Sequence, residues 1–196
     1  MSDQEQLSPD RTITIVVPVF NDWESLGTML ALLDESLWRK GIQANVLVVD
    51  DASTTAQPYE DIVLQSPRAT REIDVLQLRR NLGHQRAIAV GLAYVEANAN
   101  CRAVVVMDGD GEDEPEDVQK LIERCSQEGY EKLVFAKRIK RSESWFFKLF
   151  YLAYRLFYRL LTGYEIRVGN FSVIPHEVLY RIVGVSEIET TTPSGR

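Results

Sequence analysis

The sequence predicts an α/β domain with a mostly parallel central sheet and helices on both faces. Apolar runs of strand length alternate with segments whose apolar residues recur at helical spacing. Parallel strands need long crossover connections, so this alternation favours a sheet covered by helices on both sides. Several of the apolar runs end in polar or acidic residues, which is where open α/β sheets bind ligands. The 196 residues suffice for one domain with a sizeable core.

The elements are predicted from periodicity and from turn residues. Strands are expected at 12–19, 45–49, 73–78, 103–107 and 133–136. Helices are expected at 23–37, 84–97 and 115–125, the last with Pro115 in its first turn. The stretch 56–71 has no clear periodicity and is expected to be a loop with a short helix. We expect His176, after Pro175, to begin a helix and to be structural. The predicted domain is 11–188, with flexible ends at 1–10 and 189–196.

Composition excludes several classes of protein. The formal net charge of −7 argues against general binding to nucleic acid. Only Cys101 and Cys125 occur, without paired spacing, which argues against a disulfide framework or a zinc site and favours a reducing compartment. The polar, acidic first residues do not resemble a signal peptide, so a cytoplasmic location is expected.

A dense acidic cluster follows the strand predicted at 103–107. Asp108 and Asp110 alternate in it, so that two carboxylates can face one hard cation and leave positions open for phosphate oxygens. A calcium loop of the EF-hand type fails in register, because Asp113 stands where glycine belongs and Gln119 where glutamate belongs. A solvated acidic loop without a ligand remains the simpler alternative.

Neither of two common phosphate-binding motifs is present. No G-x-G-x-x-G follows the first strand, and no GK[ST] occurs. Charge on a bound diphosphate must therefore be offset by a metal or by basic side chains. Residues 80–86 place two arginines at the start of a predicted helix, an arrangement that suits a diphosphate.

Five motifs in this order and spacing resemble those of the family 2 glycosyltransferases of the GT-A fold. The chain is most similar to the branch of dolichyl- and polyprenyl-phosphate sugar synthases, and the resemblance runs from about residue 12 to residue 185. The motifs are Val17-Pro-Val-Phe-Asn-Asp22, Val48-Val-Asp-Asp-Ala-Ser53, Arg80-Asn-Leu-Gly-His-Gln-Arg-Ala87, Met107-Asp-Gly-Asp-Gly-Glu-Asp-Glu-Pro115 and Gly169-Asn-Phe-Ser172.

The resemblance implies a site for a nucleotide-diphospho-sugar, carrying UDP or GDP. Base and ribose would contact the backbone of Pro18 and Val19 and the carboxylates of Asp22 and Asp51, since carboxylates accept strong, directional hydrogen bonds. The alternative for Asp50 and Asp51 is a turn and capping pair after a strand, an interpretation we favour for Asp50. The complete implied donor-binding set is Pro18, Val19, Asp22, Asp51, Asn81, Gly83 and Arg86.

The resemblance also implies a metal site for Mg²⁺ or Mn²⁺. Asp108 and Asp110 match the DxD ligands of the family, and Glu112 matches a position where the lipid-phosphate branch carries a further ligand, usually glutamine. Arg138 matches a position associated with phosphate contact, where a guanidinium suits bidentate binding.

The reaction implied is a single displacement at the anomeric carbon, with inversion. Relatives often carry Gly-Asp-Phe near the active site, but Asn170 here cannot act as a base. A lipid phosphate is already an anion and needs little base catalysis, whereas a saccharide hydroxyl would need another carboxylate, for which Asp113 is the candidate. The catalytic residues expected are therefore Asp108, Asp110, Asp113 and Arg138. Gly109 and Gly111 replace bulkier residues of the branch and indicate a flexible loop or a close backbone approach.

An aromatic and basic segment at 145–161 points to the acceptor. It holds eight aromatic residues, no acidic residue, and Lys148, Arg155 and Arg159 at helical spacing. Seventeen residues with three cations make a poor membrane span but suit a helix lying in the membrane interface. We therefore expect a lipid-phosphate acceptor and peripheral contact with the cytoplasmic face of a membrane. A partly buried helix or an oligomer contact remains an alternative.

Other functions remain open. A nucleotidyltransferase usually has a glycine-rich basic loop early in the chain, which residues 18–24 lack. A catalytically silent nucleotide-binding module and a transferase acting on a saccharide hydroxyl are not excluded. Relatives often continue into transmembrane helices, so a longer native protein is also an open alternative.

Overall fold

The computed structural model describes residues 12–55, 66–136 and 170–185. The strands in these residues are β1 (Ile13–Val19), β2 (Ala44–Asp50), β3 (Thr70–Gln77), β4 (Ala103–Val106), β5 (Val134–Phe135) and β6 (Ser172–Pro175). The helices are α1 (Trp23–Arg39), α2 (His84–Asn98), α3 (Pro115–Gln127) and α4 (His176–Val185).

The strands form one six-stranded sheet in the order β3-β2-β1-β4-β6-β5. The four strands from β3 to β4 pair in parallel, while β6 is antiparallel to both β4 and β5. From β1 the chain builds the sheet first towards β3 and then, beginning with β4, on the other side. The direction of winding therefore changes between β1 and β4, and ligands of open α/β sheets bind at such a point, beyond the carboxyl ends of the strands.

Helices cover both faces of the sheet because the central strands are apolar on both sides. Every residue of β1 is buried, as expected for a central parallel strand. Val17 belongs to a core cluster that includes buried residues of α1 and α3. Its neighbour Val16 belongs to a second cluster with buried residues of α2 and α4. The predicted fold, a mostly parallel sheet between two helical layers, is confirmed.

Helix α2 lies very close to the sheet at Gly91. A Cβ atom at this position would lie 2.7 Å from Val49 Cγ2 and 2.8 Å from Val16 Cγ1, both in the sheet. Those distances are shorter than any ordinary carbon–carbon contact. A residue without a side chain therefore sets the depth at which α2 packs, and with it the position of its first turn.

A buried carboxylate on α1 fixes the beginning of β3. Asp34 is 6% exposed and accepts hydrogen bonds from the backbone N–H groups of Arg68, Ala69 and Thr70, the shortest at 2.7 Å. Burial raises the pKa of Asp34, but these backbone donors lower it by more, so the pKa lies below its ordinary value of 3.8. Residues that precede the edge strand are thereby attached to α1.

The observed elements depart from the predicted ones by more than two residues in two places. Strand β3 begins at Thr70, three residues before the predicted start, because an edge strand tolerates exposed charged residues such as Arg71 and Glu72. Strand β6 was not predicted at all. It has four buried residues and ends in proline, so its apolar run is too short to give a periodic signal. The predicted tails at 1–10 and 189–196 lie outside the described residues. Within the described part of the chain, no helix combines the length and apolarity needed to cross a membrane.

Candidate functional site

The acidic loop after β4 is folded upon itself by its own carboxylates. The backbone N–H of Asp108 donates to Asp113 Oδ2 at 2.9 Å, and the N–H of Glu112 donates to Asp110 Oδ1 at 2.9 Å. Asp113 is 4% exposed, whereas Asp110 and Glu112 are exposed. Asp113 thus holds the loop from a buried position, and Asp110 holds it from an exposed one.

The two glycines of this loop have different roles. Gly111 has φ of +79°, a conformation that favours glycine. A Cβ atom on Gly109 would lie 3.1 Å from Val17 Cγ1, so the loop backbone runs close to β1. The close approach expected from the sequence is present at Gly109.

The loop before α2 is held by a carboxylate from the end of β2. Asp51 is 3% exposed, and its two oxygens accept the backbone N–H groups of Leu82 at 2.7 Å and Gly83 at 2.8 Å. Gly83 is the residue before α2 and has φ of +86°, a conformation that favours glycine. The backbone N–H groups of Leu82 and Gly83 already donate to Asp51, so a phosphate bound near the start of α2 would need other hydrogen-bond donors.

The neighbouring Asp50 carries out a local structural role. Its Oδ1 accepts the Ser53 N–H at 2.8 Å, and its Oδ2 accepts from the Gln77 side chain at 3.3 Å. These contacts fix the turn after β2 and attach it to β3, in agreement with the interpretation favoured for Asp50.

His84, the first residue of α2, connects three elements at the carboxyl edge of the sheet. Its Nε2 lies 3.1 Å from Asp108 Oδ1 and 2.7 Å from the Asn170 side-chain amide. Gln85 also contacts this amide, with Gln85 Nε2 2.8 Å from Asn170 Oδ1. The loop after β4, the start of α2 and the residues before β6 therefore meet at one imidazole ring.

Asn21 was missed as a site residue by sequence reasoning. It follows β1 with φ of +60°, and its N–H donates to Ser53 Oγ at 2.9 Å. Its Oδ1 accepts the N–H groups of Thr54 at 2.7 Å and Thr55 at 3.0 Å. Asn21 ties the loop after β1 to the loop after β2. The available signal was an asparagine two residues after the end of a strand, because asparagine tolerates this backbone conformation.

The other predicted donor-binding residues surround these loops. Pro18 and Val19 are buried at the end of β1, and the Val19 carbonyl accepts the Asp51 N–H at 2.9 Å. Asp22 precedes α1, is exposed, and makes no side-chain capping bond. Asn81 and Arg86, on either side of Gly83, are exposed.

The described residues do not by themselves form a complete metal site. Among them no three histidine, cysteine, aspartate or glutamate residues group as a metal site. Asp108 Oδ1 is inaccessible to solvent and makes no hydrogen bond, although His84 Nε2 lies 3.1 Å from it. A Mg²⁺-like ion binds through one or two carboxylates and completes its shell with phosphate oxygens and water. Asp108 and the exposed Asp110 suit that kind of site.

A family model described as Glycosyl transferase family 2 matches residues 14–185. The chain belongs to glycosyltransferase family 2. The matched range includes all the described strands except the first residue of β1, and all of the described loops at the carboxyl edge.

Curated relatives of this family 2 glycosyltransferase support the same assignment. It is 34% identical over 172 residues to the uncharacterized glycosyltransferase YkcC of Bacillus subtilis, covering 84% of this chain and 50% of the relative. It is 27% identical over 180 residues to the uncharacterized glycosyltransferase sll0501 of Synechocystis, covering 89% of this chain and 54% of the relative. The chain thus spans about half the length of these relatives.

A solved structure shows the same fold. Glucosyl-3-phosphoglycerate synthase from Mycobacterium tuberculosis, in complex with UDP, superposes with a TM-score of 0.57 at 18% identity. The superposition covers 85% of this chain and 57% of the synthase. The expected GT-A glycosyltransferase fold is therefore confirmed.

Two parts of the predicted site in this family 2 domain, Arg138 and the aromatic segment at 145–161, lie outside the described residues. Asp113 can be placed, and its burial does not suit a base that has to reach an acceptor hydroxyl.

We expect Asp51→Ala to weaken binding of a nucleoside diphosphate by about 1–3 kcal/mol, because a buried hydrogen-bonded carboxylate is lost and the loop before α2 is released. Asp50→Ala should mainly lower the free energy of unfolding, since its contacts are local. Isothermal titration calorimetry with UDP and GDP, together with urea denaturation, measures both effects. Equal nucleotide affinities of the two variants would refute this division of roles.

Proposed function

We propose that this glycosyltransferase moves a sugar, with inversion, from a nucleotide-diphospho-sugar to a polyprenyl phosphate in a metal-dependent reaction. The observation that most strongly supports binding of a nucleotide-diphospho-sugar is the convergence of loops between β1 and β4. There the ends of β1, β2 and β4 and the start of α2 are joined by Asn21, Asp51 and His84. This is the crevice at which an open α/β sheet binds its ligand.

Within this crevice we assign the donor to the exposed groups. The Asp22 and Arg86 side chains are both exposed, and Asp51 holds the loop that leads into α2, whose first turn contains Arg86. Arginine offers a planar set of donors to phosphate oxygens. Arg138, which follows β5 in the sequence, is proposed as a second phosphate contact.

The metal in this proposal is Mg²⁺ or Mn²⁺, held by Asp108 and Asp110, with Glu112 as a further oxygen ligand. Such an ion would offset the charge on the departing nucleoside diphosphate. The protein side of this arrangement is the carboxylate pair at the end of β4, of which Asp110 is exposed and Asp108 partly exposed.

A lipid phosphate is the proposed acceptor because of residues 145–161. Their eight aromatic residues and three cations suit an interfacial helix at an anionic membrane surface, which we place at the cytoplasmic face. The described chain stops at Ala136 and resumes at Asn170, and these two points are close, because the Ala136 N–H donates to the Phe171 carbonyl at 2.9 Å. Asn170 also contacts His84, so the described chain resumes beside the proposed donor site.

The burial of Asp113 favours this acceptor over a saccharide hydroxyl. A hydroxyl has to lose its proton during attack, whereas a phosphate acceptor is already ionised. Asn170 has no basic oxygen, and Asp113 is 4% exposed. The carboxamide of Asn170 and the buried carboxylate of Asp113 are thus both unsuited to act as this base.

The proposed reaction is tested by incubating the chain with UDP- and GDP-linked sugars, Mn²⁺ and polyprenyl phosphate in detergent. We expect a sugar-phospholipid product from one donor, and none without the metal or with dephosphorylated polyprenol. Transfer to a saccharide instead would overturn the acceptor, and absence of both nucleotide binding and donor hydrolysis would indicate a silent module.

Membrane contact is tested by co-sedimentation with anionic liposomes. Each basic residue at such a surface contributes about 1 kcal/mol, a contribution that salt screens, while aromatic burial is not screened. Binding should therefore fall only in part as ionic strength rises. Changing Lys148, Arg155 and Arg159 together to glutamate should reduce it much further. A wild-type chain that ignores anionic liposomes at low salt would remove the main support for a lipid acceptor.

A further inference from the structure

One asparagine side chain fastens the loop after β1 to the loop after β2. Asn21 Oδ1 accepts the backbone N–H groups of Thr54 and Thr55, and the hydroxyl oxygens of these threonines lie 3.3 Å and 3.1 Å from it. The Asn21 N–H donates to Ser53 Oγ. A backbone N–H can only donate, so these contacts determine which end of the Asn21 amide faces the loop. The contacts of Asn21 with residues 53–55 are called the loop clamp below.

Each of the two fastened loops contains a non-glycine residue in the left-handed backbone conformation. Asn21 has φ of +60° in the loop after β1, and Ala52 has φ of +58° in the loop after β2. Asparagine adopts this conformation more readily than alanine, which does so only where surrounding contacts offset the cost. Residues held in this way are concentrated at ligand-binding sites. The loop clamp is a contact that holds the second loop in this shape.

The loop clamp is exposed, so its main effect is on the order of the loops rather than on the core. Asn21, Thr54 and Thr55 are all exposed. Hydrogen bonds that replace bonds to water contribute little net free energy to folding. The clamp lies between two of the proposed nucleoside contacts, because Asp22 follows Asn21 directly and Asp51 is the first residue after β2.

We infer that Asn21 is a positioning residue for the nucleoside part of the donor, because it holds both loops in the binding conformation before the ligand arrives. Only the identity of the ligand rests on the proposed function, since the loop clamp is present in the protein alone. Without the clamp, the ligand has to order the loop after β2 itself. Its apparent affinity then falls in proportion to the fraction of protein in the competent conformation. The contribution of a metal ion at the loop after β4 does not depend on Asn21.

The loop clamp is measured without a ligand by amide hydrogen exchange in nuclear magnetic resonance spectra. Asn21→Gly removes the side chain and adds no backbone strain, because glycine readily adopts a positive φ. We expect the amides of Thr54 and Thr55 to exchange at least about tenfold faster in this variant. Asn21→Asp keeps an acceptor oxygen of the same reach and should retain exchange close to the wild-type rate. Unchanged exchange in Asn21→Gly would overturn the inference.

The nucleoside role is measured by isothermal titration calorimetry with UDP and GDP, with and without Mn²⁺. We expect Asn21→Gly to weaken binding about tenfold, which corresponds to about 1.4 kcal/mol, and Asn21→Asp to recover most of this loss. The factor by which Mn²⁺ increases the affinity should stay at its wild-type value. Loosening of the whole site would reduce this factor as well, and that result would overturn the inference. Faster amide exchange with unchanged affinity would equally overturn it.

Asn98→Ala is the matched control. It also removes an exposed asparagine that bonds to the backbone, because Asn98 Nδ2 donates to the Tyr94 carbonyl at 2.8 Å at the far end of α2. Nucleotide affinity and the exchange of the two threonine amides should stay at their wild-type values. A wild-type chain that binds neither UDP nor GDP would overturn the proposed function and the nucleoside role with it. Amide exchange would still decide whether Asn21 holds the loop, so the two failures are distinguishable.

Discussion

Asp108→Asn should abolish sugar transfer while the fold remains intact. The amide keeps the shape of the side chain but removes the charge of a proposed metal ligand at the end of β4. Loss of one ligand from a site with two carboxylates is expected to cost several kcal/mol of transition-state stabilisation, or at least about a hundredfold in rate. Single-turnover assays with the donor and Mn²⁺ measure the rate, and circular dichroism measures the fold. Asp110→Asn should likewise lower the rate of sugar transfer.

A matched control for this experiment is Asp117→Asn. Asp117 lies in the first turn of α3 and pairs with Lys120 at 2.6 Å on the surface, so neutralising it changes the same charge by the same amount. Transfer should stay near the wild-type rate. Full activity of both the Asp108 and Asp110 variants, or full activity of the wild type in excess EDTA, would refute the metal site.

Asp34→Ala should produce a large loss of stability. Three buried or partly buried backbone N–H groups would lose their acceptor together. At about 1–3 kcal/mol for each unsatisfied buried group, and with partial access of water, the free energy of unfolding should fall by roughly 3 kcal/mol. Urea denaturation measures the loss. Glu35→Gln, which alters an exposed ion pair with Arg39 on the same helix, should change it by less than about 1 kcal/mol.

The contribution of Asp34 should also depend on pH. Its pKa is lowered in the folded chain, so folding favours the ionised carboxylate. The stabilisation is therefore complete above the unfolded pKa, about 3.9 for aspartate, and disappears as the pH falls through the lower folded value. Asp34→Asn should show a correspondingly weaker acid dependence in denaturation curves. If the wild type and Asp34→Asn lost stability equally as the pH falls, Asp34 would not contribute to the acid dependence of folding.

The parts of the fold that sequence reasoning predicted are those with strong local signals. Strand β1 has seven consecutive buried residues, and α1 repeats apolar residues from Trp23 to Leu37 at helical spacing. Strand β6 has only four residues. Its place beside β4 depends on pairing with Val104 and Val105, which lie about seventy residues earlier in the chain. Such a strand is specified by its partners rather than by its own periodicity.

The candidate site shows the same division. The placement of Asp108 and Asp110 after a buried strand followed from the sequence, because carboxyl ends of parallel strands share one edge. The burial of Asp113 and the ties made by Asn21 did not follow. They arise from backbone donors brought to these side chains by loop conformation, with Asn21 at φ of +60° and Gly111 at φ of +79°. Neither angle has a unique signature in composition or spacing.

The reversed direction of β6 has a consequence for the free energy of folding. Because β6 starts where β4 and β5 end, Ser172 pairs with both Val106 and Phe135, and the chain leaves the sheet and returns to it at one edge. The closure entropy of a connection between such neighbouring points grows only slowly with its length, by about 0.6 kcal/mol for each doubling. A longer or shorter connection after β5 therefore changes the free energy of folding little, and the pairing of β6 with β4 and β5 sets the point to which the chain must return.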